Sequence, residues 1–294
     1  MVESFLNWLT SEKKYSQHTI KSYKTDLESF KGYLSEDYSG LPLIEASKVQ
    51  IKSWVMTLLN SGYSAVTVNR KLVALSTFYK YAIREGCLDV NPVDLVSRPK
   101  KPKRLAKFID ESTTSKIFDV SQFDGDFDGQ RSRLIMELLY STGIRVSELL
   151  GIAHGDVDEK RAELKVLGKG NKERHIPISR SLISLIGSFS ALKTSEGFTT
   201  GALDFLLVTD KGKQLYPVFV ARKVKAVLQA YANISGTNPH ILRHTFATHL
   251  LNNGSDITSI KELMGHSSLA STTVYTHNSI DRLKDVYKHS HPRK

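Results

Sequence analysis

Apolar side chains in the first third of the chain recur every three or four residues. One stripe begins after Ser16 and consists of Ile20, Tyr23, Leu27, Phe30 and Leu34. Another ends before Gly86 and consists of Val68, Leu72, Leu75, Tyr79 and Ala82. Shorter stripes with the same spacing cover residues 2–9 and 48–59. This period is that of an α-helix with one buried face, so the pattern predicts a four-helix unit with short connections.

The later part of the chain mixes two periods. A helix that ends at Gly143 is predicted by "RSRLIMELLYSTG". A hairpin with a glycine-rich turn is predicted by "AELKVLGKGNKERHIPIS", and a further strand by "DFLLVT". Helical spacing then dominates, with Pro239 in a first turn and Gly254 as a C-cap. The helices predicted there cover residues 216–231, 239–252, 255–264 and 278–288. The fold class is therefore mainly α: a four-helix N-terminal domain, then an α+β domain that is mostly helical and has a small sheet.

The two patterns meet at a segment that cannot continue a helix. "NPVDLVSRPKKPKRL" contains three prolines among clustered positive charges. Proline lacks an N–H group and restricts the residue before it, so helices end at such a stretch. We therefore predict a helical domain over residues 1–97, an extended basic linker over 98–105 and a second domain over 106–294.

Positive charge is concentrated in that linker. The formal net charge of the chain is +11, with a pI of about 9.5. Residues 1–97 are nearly neutral, with 11 basic and 10 acidic side chains. Five basic residues follow within residues 98–104, namely Arg98, Lys100, Lys101, Lys103 and Arg104. A dense basic segment suits a polyanion, of which nucleic acid is the most common, although a solvated linker would have the same composition.

Cysteine usage and apolar run lengths limit the class of protein. A single cysteine, Cys87, excludes an intrachain disulfide and fits a reducing compartment, so a cytoplasmic location is expected. The opening "MVESFLNWLT" lacks the basic and apolar regions of a signal peptide. No run of about 18 apolar residues is present, so we expect no membrane partner.

Two short motifs resemble ligand-binding loops only in part. "DGDFDG", residues 124–129, matches the first half of a calcium loop, but the twelfth position, which needs a glutamate, is Ile135. "GKGNKE" resembles a phosphate-binding loop, but it lacks the Lys-Ser/Thr pair and lies between two strands. Neither motif predicts a cation or nucleotide site.

"HILRHTFATH" carries the densest cluster of candidate ligands. His240 and His244 share a helical face, which is a spacing that can hold zinc. There is no HExxH glutamate, however, and His249 would lie almost half a circle away. His240 and Arg243 are also neighbours on one helical face, where a guanidinium and an imidazole can grip a phosphate. We favour the anion site and expect no metal and no cofactor.

Three other motifs supply side chains for the same kind of chemistry. "TGIRVSELL" places Arg145 just after a helix-ending glycine, with Glu148 close enough to hold it in place. "GKGNKER" places Lys169 on a hairpin turn, from which it can reach a ligand. "LMGHSSLASTTVYTH" contains His266 and, nine residues later, Tyr275.

Taken with their order and spacing, these motifs closely resemble the tyrosine recombinase family, and within it the Xer-type chromosome-dimer resolvases. The matching stretches are "STGIRVSEL", "GKGNKERHIPI", "HILRHTFATHLL" and "LMGHSSLASTTVYTH". "SQHTIKSYKTDLESF" resembles the family's core-binding helix, so the resemblance covers almost the whole chain. It implies that Glu148 supports Arg145 without contacting the substrate, and that the catalytic residues are Arg145, Lys169, His240, Arg243, His266 and Tyr275.

The resemblance implies an enzyme that cuts and rejoins double-stranded DNA through a 3′-phosphotyrosine on Tyr275. The two arginines would hold the nonbridging phosphate oxygens and Lys169 would protonate the leaving 5′ oxygen. The helical core-binding domain and the catalytic domain would clamp the duplex, with phosphate contacts from the linker.

The resemblance also implies a tetramer on two DNA sites, made of four copies of this protein or of this protein and a related recombinase. In such a tetramer the C-terminal helix would dock into a neighbour, unless it packs against its own domain. A DNA translocase is a candidate activator.

Other functions remain open at this stage. A phage or conjugative-element integrase would belong to the same family, but the compact size and the lack of an extra arm-binding domain favour the Xer type. A DNA-binding module without activity could use the six residues as phosphate contacts. A metal-dependent nuclease would need an acidic cluster, and the candidate at residues 124–128 lacks matched partners.

Overall fold

A computed structural model of the chain describes residues 1–100, 108–119, 123–168, 171–231, 237–265, 283–284, 286–287 and 290–292. The chain divides into two compact units, Met1–Arg104 and Leu105–Lys294. The basic segment 98–105 spans the boundary between them. Of its charged residues, Arg98 and Lys100 are exposed, whereas Lys101, Lys103 and Arg104 lie outside the described residues.

The first unit contains the predicted helices. They are α1 (Val2–Ser11), α2 (Gln17–Asp37), α3 (Lys48–Asn60) and α4 (Ala65–Arg84). A serine hydroxyl accepts a hydrogen bond from a backbone N–H at the start of three of them, at Ser16, Ser47 and Ser64. Such caps satisfy N–H groups that have no partner within the helix. The predicted apolar stripes face inward, and Leu27, Phe30 and Leu34 of α2 pack with Leu72, Leu75 and Tyr79 of α4.

The second unit is mostly helical with a small antiparallel sheet. Its helices are α5 (Glu111–Ile117), α6 (Phe127–Thr142), α7 (Val146–Leu149), α8 (Arg180–Ser195), α9 (Pro217–Tyr231), α10 (Pro239–Asn252) and α11 (Ile257–Met264). Its strands are β1 (Val157–Asp158), β2 (Glu163–Leu167) and β3 (Glu173–Pro177), in the order β1-β2-β3. The predicted hairpin is confirmed, with Leu164 paired to Ile176. Helix α6 lies at the centre and packs against α8, α9 and α10.

One predicted strand is wrong and one long helix was not predicted. "DFLLVT" buries Leu206, Leu207 and Val208, but its backbone pairing is limited to isolated bridges. A buried loop shows the same short apolar run as a strand, so periodicity does not separate them. Helix α8 contains five serines, which lower helix propensity, and burial of residues such as Leu182 and Phe189 stabilises it instead.

The ends of the later helices differ slightly from the predictions. Asn253 is the C-cap of α10, and Gly254 follows it with a positive φ of 89°. Helix α11 begins two residues later than predicted because Asp256 caps it. Most of the predicted helix 278–288 lies outside the described residues, but Leu283 and Tyr287 are buried in the core of their own unit. Among the described helices, none has both the length and the apolar character needed to cross a membrane.

Candidate active site

The end of α6 determines where Arg145 lies. Gly143 caps this helix in the left-handed region, with φ of 61°. A Cβ atom on Gly143 would lie only 2.5 Å from Cδ1 of Phe246. Glycine is therefore needed both for the backbone turn and for the close approach of α10. The turn lets Ile144 enter the core and makes Arg145 the N-cap residue of α7.

Glu148 fixes Arg145 at two points. The backbone N–H of Arg145 donates to Oε2 of Glu148 at 2.7 Å, and its Nη1 donates to Oε1 at 2.9 Å. The Glu148 side chain is buried, so this pair is shielded from water on the carboxylate side. Arg145 and Glu148 therefore make the contact that their spacing of three residues predicts.

A second guanidinium, which the sequence motifs did not single out, holds the same carboxylate. Arg174 on β3 donates from Nη1 and Nη2 to the two oxygens of Glu148, at 2.8 and 3.0 Å. Its Nε donates to the carbonyl of Leu263 at 3.3 Å. The sequence does contain one signal: strand alternation turns Arg174 inward, between exposed Glu173 and half-buried His175. A buried arginine needs an acidic partner.

Arg243 on α10 binds the C-terminal ends of two other helices. Its Nη1 donates to the carbonyl of Gly143, and its Nη2 donates to the carbonyl of Met264 at 2.6 Å. Arg145 makes a similar contact from Nη2 to the carbonyl of Gly265, at 3.1 Å. The last carbonyls of a helix have no partner within it and carry partial negative charge. The ends of α6 and α11 therefore bring the two predicted arginines together.

The electrostatics of this cluster favour an anion. Burial lowers the pKa of Arg243 to about 10, and the positive charge of Arg145 acts in the same direction. Burial tends to raise the pKa of Glu148, but hydrogen bonds from Arg174 and Arg145 outweigh it, so this pKa is lowered. The described cluster holds three guanidiniums and one carboxylate. Arg145 is the most accessible of the three, with 34% of its side chain exposed against 6% for Arg174.

His240 lies in the first turn of α10, three residues before Arg243. Its side chain is exposed, and its backbone N–H donates to Oδ1 of Asn238 at 3.0 Å. The helical spacing places this imidazole on the same side of α10 as Arg243. His240 is therefore free to contact a ligand that the arginines hold.

His249, which belonged to the zinc hypothesis, is a core residue. Its Nε2 donates to the carbonyl of Ile109 at 2.8 Å, and its Nδ1 accepts from the hydroxyl of Tyr140 at 2.9 Å. Both ring nitrogens are thus occupied by protein groups. Two acids of "DGDFDG" also have structural partners, because Asp126 caps α6 and Asp128 pairs with Arg131 and Lys223.

Three predicted residues, Lys169, His266 and Tyr275, lie outside the described residues. Two of them directly follow described glycines. Gly168, before Lys169, closes the base of the β2–β3 hairpin by donating to the carbonyl of Lys172 at 2.8 Å. Gly265, before His266, caps α11 with φ of 63°.

Both parts of the chain match known protein families. The model of the phage integrase family matches residues 107–282, and that of the phage integrase N-terminal SAM-like domain matches residues 2–86. The protein named tyrosine recombinase XerC from Staphylococcus carnosus (strain TM300) is 38% identical over 291 residues, which cover 99% of this chain and 97% of that protein. The protein of the same name from Bacillus subtilis (strain 168) is 36% identical over 303 residues, covering 99% and 96%.

Solved structures share the fold at lower identity. The XerH site-specific recombinase bound to palindromic difH substrate matches with a TM-score of 0.73 at 20% identity, covering 97% of this chain and 83% of that one. The Tn1549 transposon integrase in complex with circular intermediate DNA matches with a TM-score of 0.69 at 22% identity, covering 96% and 97%. Because both family models match and the XerC proteins are similar over nearly the whole chain, this protein belongs to the tyrosine recombinase (phage integrase) family, whose enzymes cleave and rejoin DNA.

Proposed function

We propose that this recombinase cleaves one DNA strand at a time by attack of Tyr275 on a backbone phosphate. The observation that carries the proposal is the convergence of Arg145 and Arg243 on the ends of α6 and α11. Their motifs are separated by 98 residues of sequence, yet each contacts the last turn or cap of α11. Two fixed guanidiniums around one point form a site for a phosphodiester.

The chemistry conserves the energy of the phosphodiester bond. The Tyr275 oxygen forms a bond to phosphorus as the bond from phosphorus to the 5′ oxygen breaks, which leaves a 3′-phosphotyrosine and a 5′-hydroxyl. Tyrosine has an ordinary pKa of about 10, and nearby guanidiniums favour its phenolate form. Arg145 and Arg243 hold the nonbridging oxygens, where negative charge gathers in the transition state. Attack by a 5′-hydroxyl on the phosphotyrosine then rejoins the strand without a metal or a cofactor.

Two of the remaining predicted residues transfer protons, and the third holds the phosphate. Lys169 donates a proton to the leaving 5′ oxygen. His240 is exposed beside Arg243 and accepts the proton of the Tyr275 hydroxyl. His266, which directly follows the α11 cap, donates a hydrogen bond to the phosphate. These roles are supported by the family resemblance of the motifs and, for His240, by its exposed position three residues before Arg243.

The partners follow from the same reaction. The substrate is double-stranded DNA, and the phosphate contacts outside the active site come from Arg98, Lys100, Lys101, Lys103 and Arg104. Recombination of two DNA sites requires four active sites, so the working form is a tetramer made with itself or with a related recombinase. The similarity to proteins named tyrosine recombinase XerC supports the Xer-type role, resolution of chromosome dimers at cell division. A cytoplasmic location and a DNA translocase as candidate activator belong to the same proposal.

The test is covalent capture of DNA on Tyr275. Sequencing the DNA that is covalently bound to the protein in cells gives the target site. A suicide substrate of that sequence, in which the cut strand cannot be rejoined, should leave the wild-type protein covalently attached on a denaturing gel. Tyr275→Phe should keep its DNA affinity and form no covalent product. A covalent product from Tyr275→Phe would move the nucleophile elsewhere, and none from the wild type would leave a DNA-binding module.

A further inference from the structure

Arg174 lies at the junction of three segments that carry the proposed catalytic residues. Its bidentate pair with Glu148 joins it to α7, whose N-cap residue is Arg145. Its Nε reaches the carbonyl of Leu263 in the last turn of α11. Its own strand, β3, is the return strand of the hairpin whose turn includes Lys169. No other residue among those described donates hydrogen bonds to both Glu148 and α11 apart from Arg145 itself.

Two glycines pack directly around the Arg174 guanidinium. A Cβ atom on Gly265 would lie 2.9 Å from its Cζ, so a side chain there would displace the Arg174 guanidinium. A Cβ atom on Gly168 would lie 3.5 Å from its Nη1. These are the residues that directly precede His266 and Lys169. Arg174 therefore contacts the points where the chain departs toward both.

The Glu148 carboxylate makes this junction rigid. Oε1 accepts from Nη1 of both Arg145 and Arg174, and Oε2 accepts from the backbone N–H of Arg145 and Nη2 of Arg174. A bidentate guanidinium–carboxylate pair fixes orientation as well as distance. A lysine at position 174 would keep the charge but would not reproduce the second parallel hydrogen bond.

We infer that Arg174 is a positioning residue that holds the Lys169 hairpin in register with the phosphate bound by Arg145. This inference rests on the proposed function, and it assigns a role to a side chain that does not itself touch the DNA. Loss of the bidentate pair frees the hairpin base, so Lys169 no longer meets the leaving 5′ oxygen. Arg145 keeps its own contacts with Glu148 and Gly265, so stabilisation of the nonbridging oxygens is retained.

A change of leaving group distinguishes loss of Lys169 positioning from a general loss of protein stability. The cleavage rate is measured in single turnover on the suicide substrate, and on the same DNA with sulfur at the bridging 5′ position. A thiolate leaves without needing a proton, so the sulfur substrate does not require the general acid. Misplacement of a catalytic group by about 1 Å costs on the order of 10²-fold. Arg174→Lys should therefore be slower by about that factor on normal DNA, and close to the wild-type rate on the sulfur substrate.

Three further variants show which rate pattern belongs to loss of the general acid, to loss of a phosphate-binding arginine and to no defect. Lys169→Ala should show the same rescue by sulfur, whereas Arg145→Ala should remain slow on both substrates. Arg161→Lys is the matched control, because Arg161 is 64% exposed and contacts only Asp158 among the described ion pairs. It should behave as wild type throughout. Arg174→Gln, which keeps two N–H donors without the charge, serves as a second variant if Arg174→Lys lowers the thermal unfolding midpoint.

The failure of this inference differs from failure of the proposed function. If Arg174→Lys and Arg174→Gln are slowed equally on both substrates, or not slowed at all, Arg174 does not position Lys169 and the inference is overturned. The wild-type protein would still form its covalent product in that case. If the wild type forms no Tyr275-dependent product on either substrate, both the proposed function and the inference fall.

Discussion

The carboxylate of Glu148 organises the described part of the candidate active site. It accepts four hydrogen bonds, two from Arg145 and two from Arg174, in a buried position. Burial alone would favour the neutral acid, yet these donors keep the carboxylate ionised and lower its pKa. An ionised Glu148 in turn offsets the repulsion between neighbouring guanidiniums. A single acidic side chain therefore allows the arginines to be packed close together.

We expect Glu148→Gln to destabilise the protein in a pH-dependent way. The folded-state pKa of Glu148 lies below its ordinary value of 4.5, so its ionised form stabilises the fold above that value. This contribution is lost as the pH falls through the folded-state pKa. The free energy of unfolding in urea should be lower for Glu148→Gln by about 3 kcal/mol at pH 7, because two guanidiniums lose their counterion.

The same measurement at lower pH completes the test. The difference between wild type and Glu148→Gln should shrink progressively below about pH 4.5, as the wild-type carboxyl becomes protonated. Glu159→Gln, at an exposed position in the same unit, is the control and should show no such trend. A difference that stays constant down to pH 3 would mean that the charge of Glu148 is not what stabilises the site.

At the scale of elements, two helix ends build the proposed anion site. Helices α6 and α11 both terminate in a left-handed glycine, Gly143 and Gly265. The carbonyl of each glycine accepts a hydrogen bond from an active-site arginine. Each glycine also touches a large side chain, Phe246 in one case and Arg174 in the other. The glycines thus end the helices and also bring the carbonyls close to the arginines.

We expect Gly143→Ala to destabilise the second unit by about 3 kcal/mol. Left-handed strain and overpacking against Phe246 each contribute on the order of 1–3 kcal/mol. Gly254→Ala is the matched control, because Gly254 also has a positive φ, of 89°, but has open space around its Cβ position. It should cost only about 1–2 kcal/mol, from strain alone. Equal destabilisation of the two variants in urea would show that Phe246 moves aside without cost.

At the scale of the whole molecule, the basic segment differs from the residues before it in its density of positive charge. The nearly neutral residues 1–97 precede five basic residues within 98–104. Arg98 and Lys100 are exposed, and the carbonyl of Pro99 between them accepts from Nδ2 of Asn69 at 2.8 Å. The start of the segment is therefore held against α4, while Arg98 and Lys100 remain exposed to solvent.

Neutralising the linker lysines should weaken binding to any duplex. Each DNA phosphate that a lysine no longer neutralises should reduce the steepness of log affinity against log salt concentration by about 0.9. Changing Lys100, Lys101 and Lys103 to Gln should therefore reduce that steepness by roughly 2.7. The affinity is measured by fluorescence anisotropy over a series of salt concentrations. A control with the same charge change at exposed Lys160, Lys211 and Lys213 tests for a net-charge effect. Equal slopes for the two triple variants would exclude specific contacts by the linker.

Local patterns in the sequence were enough to predict elements and contacts between near neighbours. The stripes of α2 and α4 predicted buried helical faces because residues three and four apart lie on one side of a helix. The pair of Arg145 and Glu148 was predictable for the same reason, since only three positions separate them. The β2–β3 hairpin followed from alternation on both sides of a glycine-rich turn. In each case the prediction depends on residues that are close together in the sequence.

Only the tertiary structure decided which distant groups meet. Arg174 reaches Glu148 across 26 residues, and Arg243 reaches Gly143 across 100. The same packing made His249 a core residue and left "DFLLVT" as a buried loop. Apolar spacing shows that a face is buried but does not show which other face covers it. The sequence by itself determined most of the helices, the hairpin and the candidate residues. Packing of α6, α10 and α11 determined how the arginines are placed, because buried charges must find partners wherever the fold brings them.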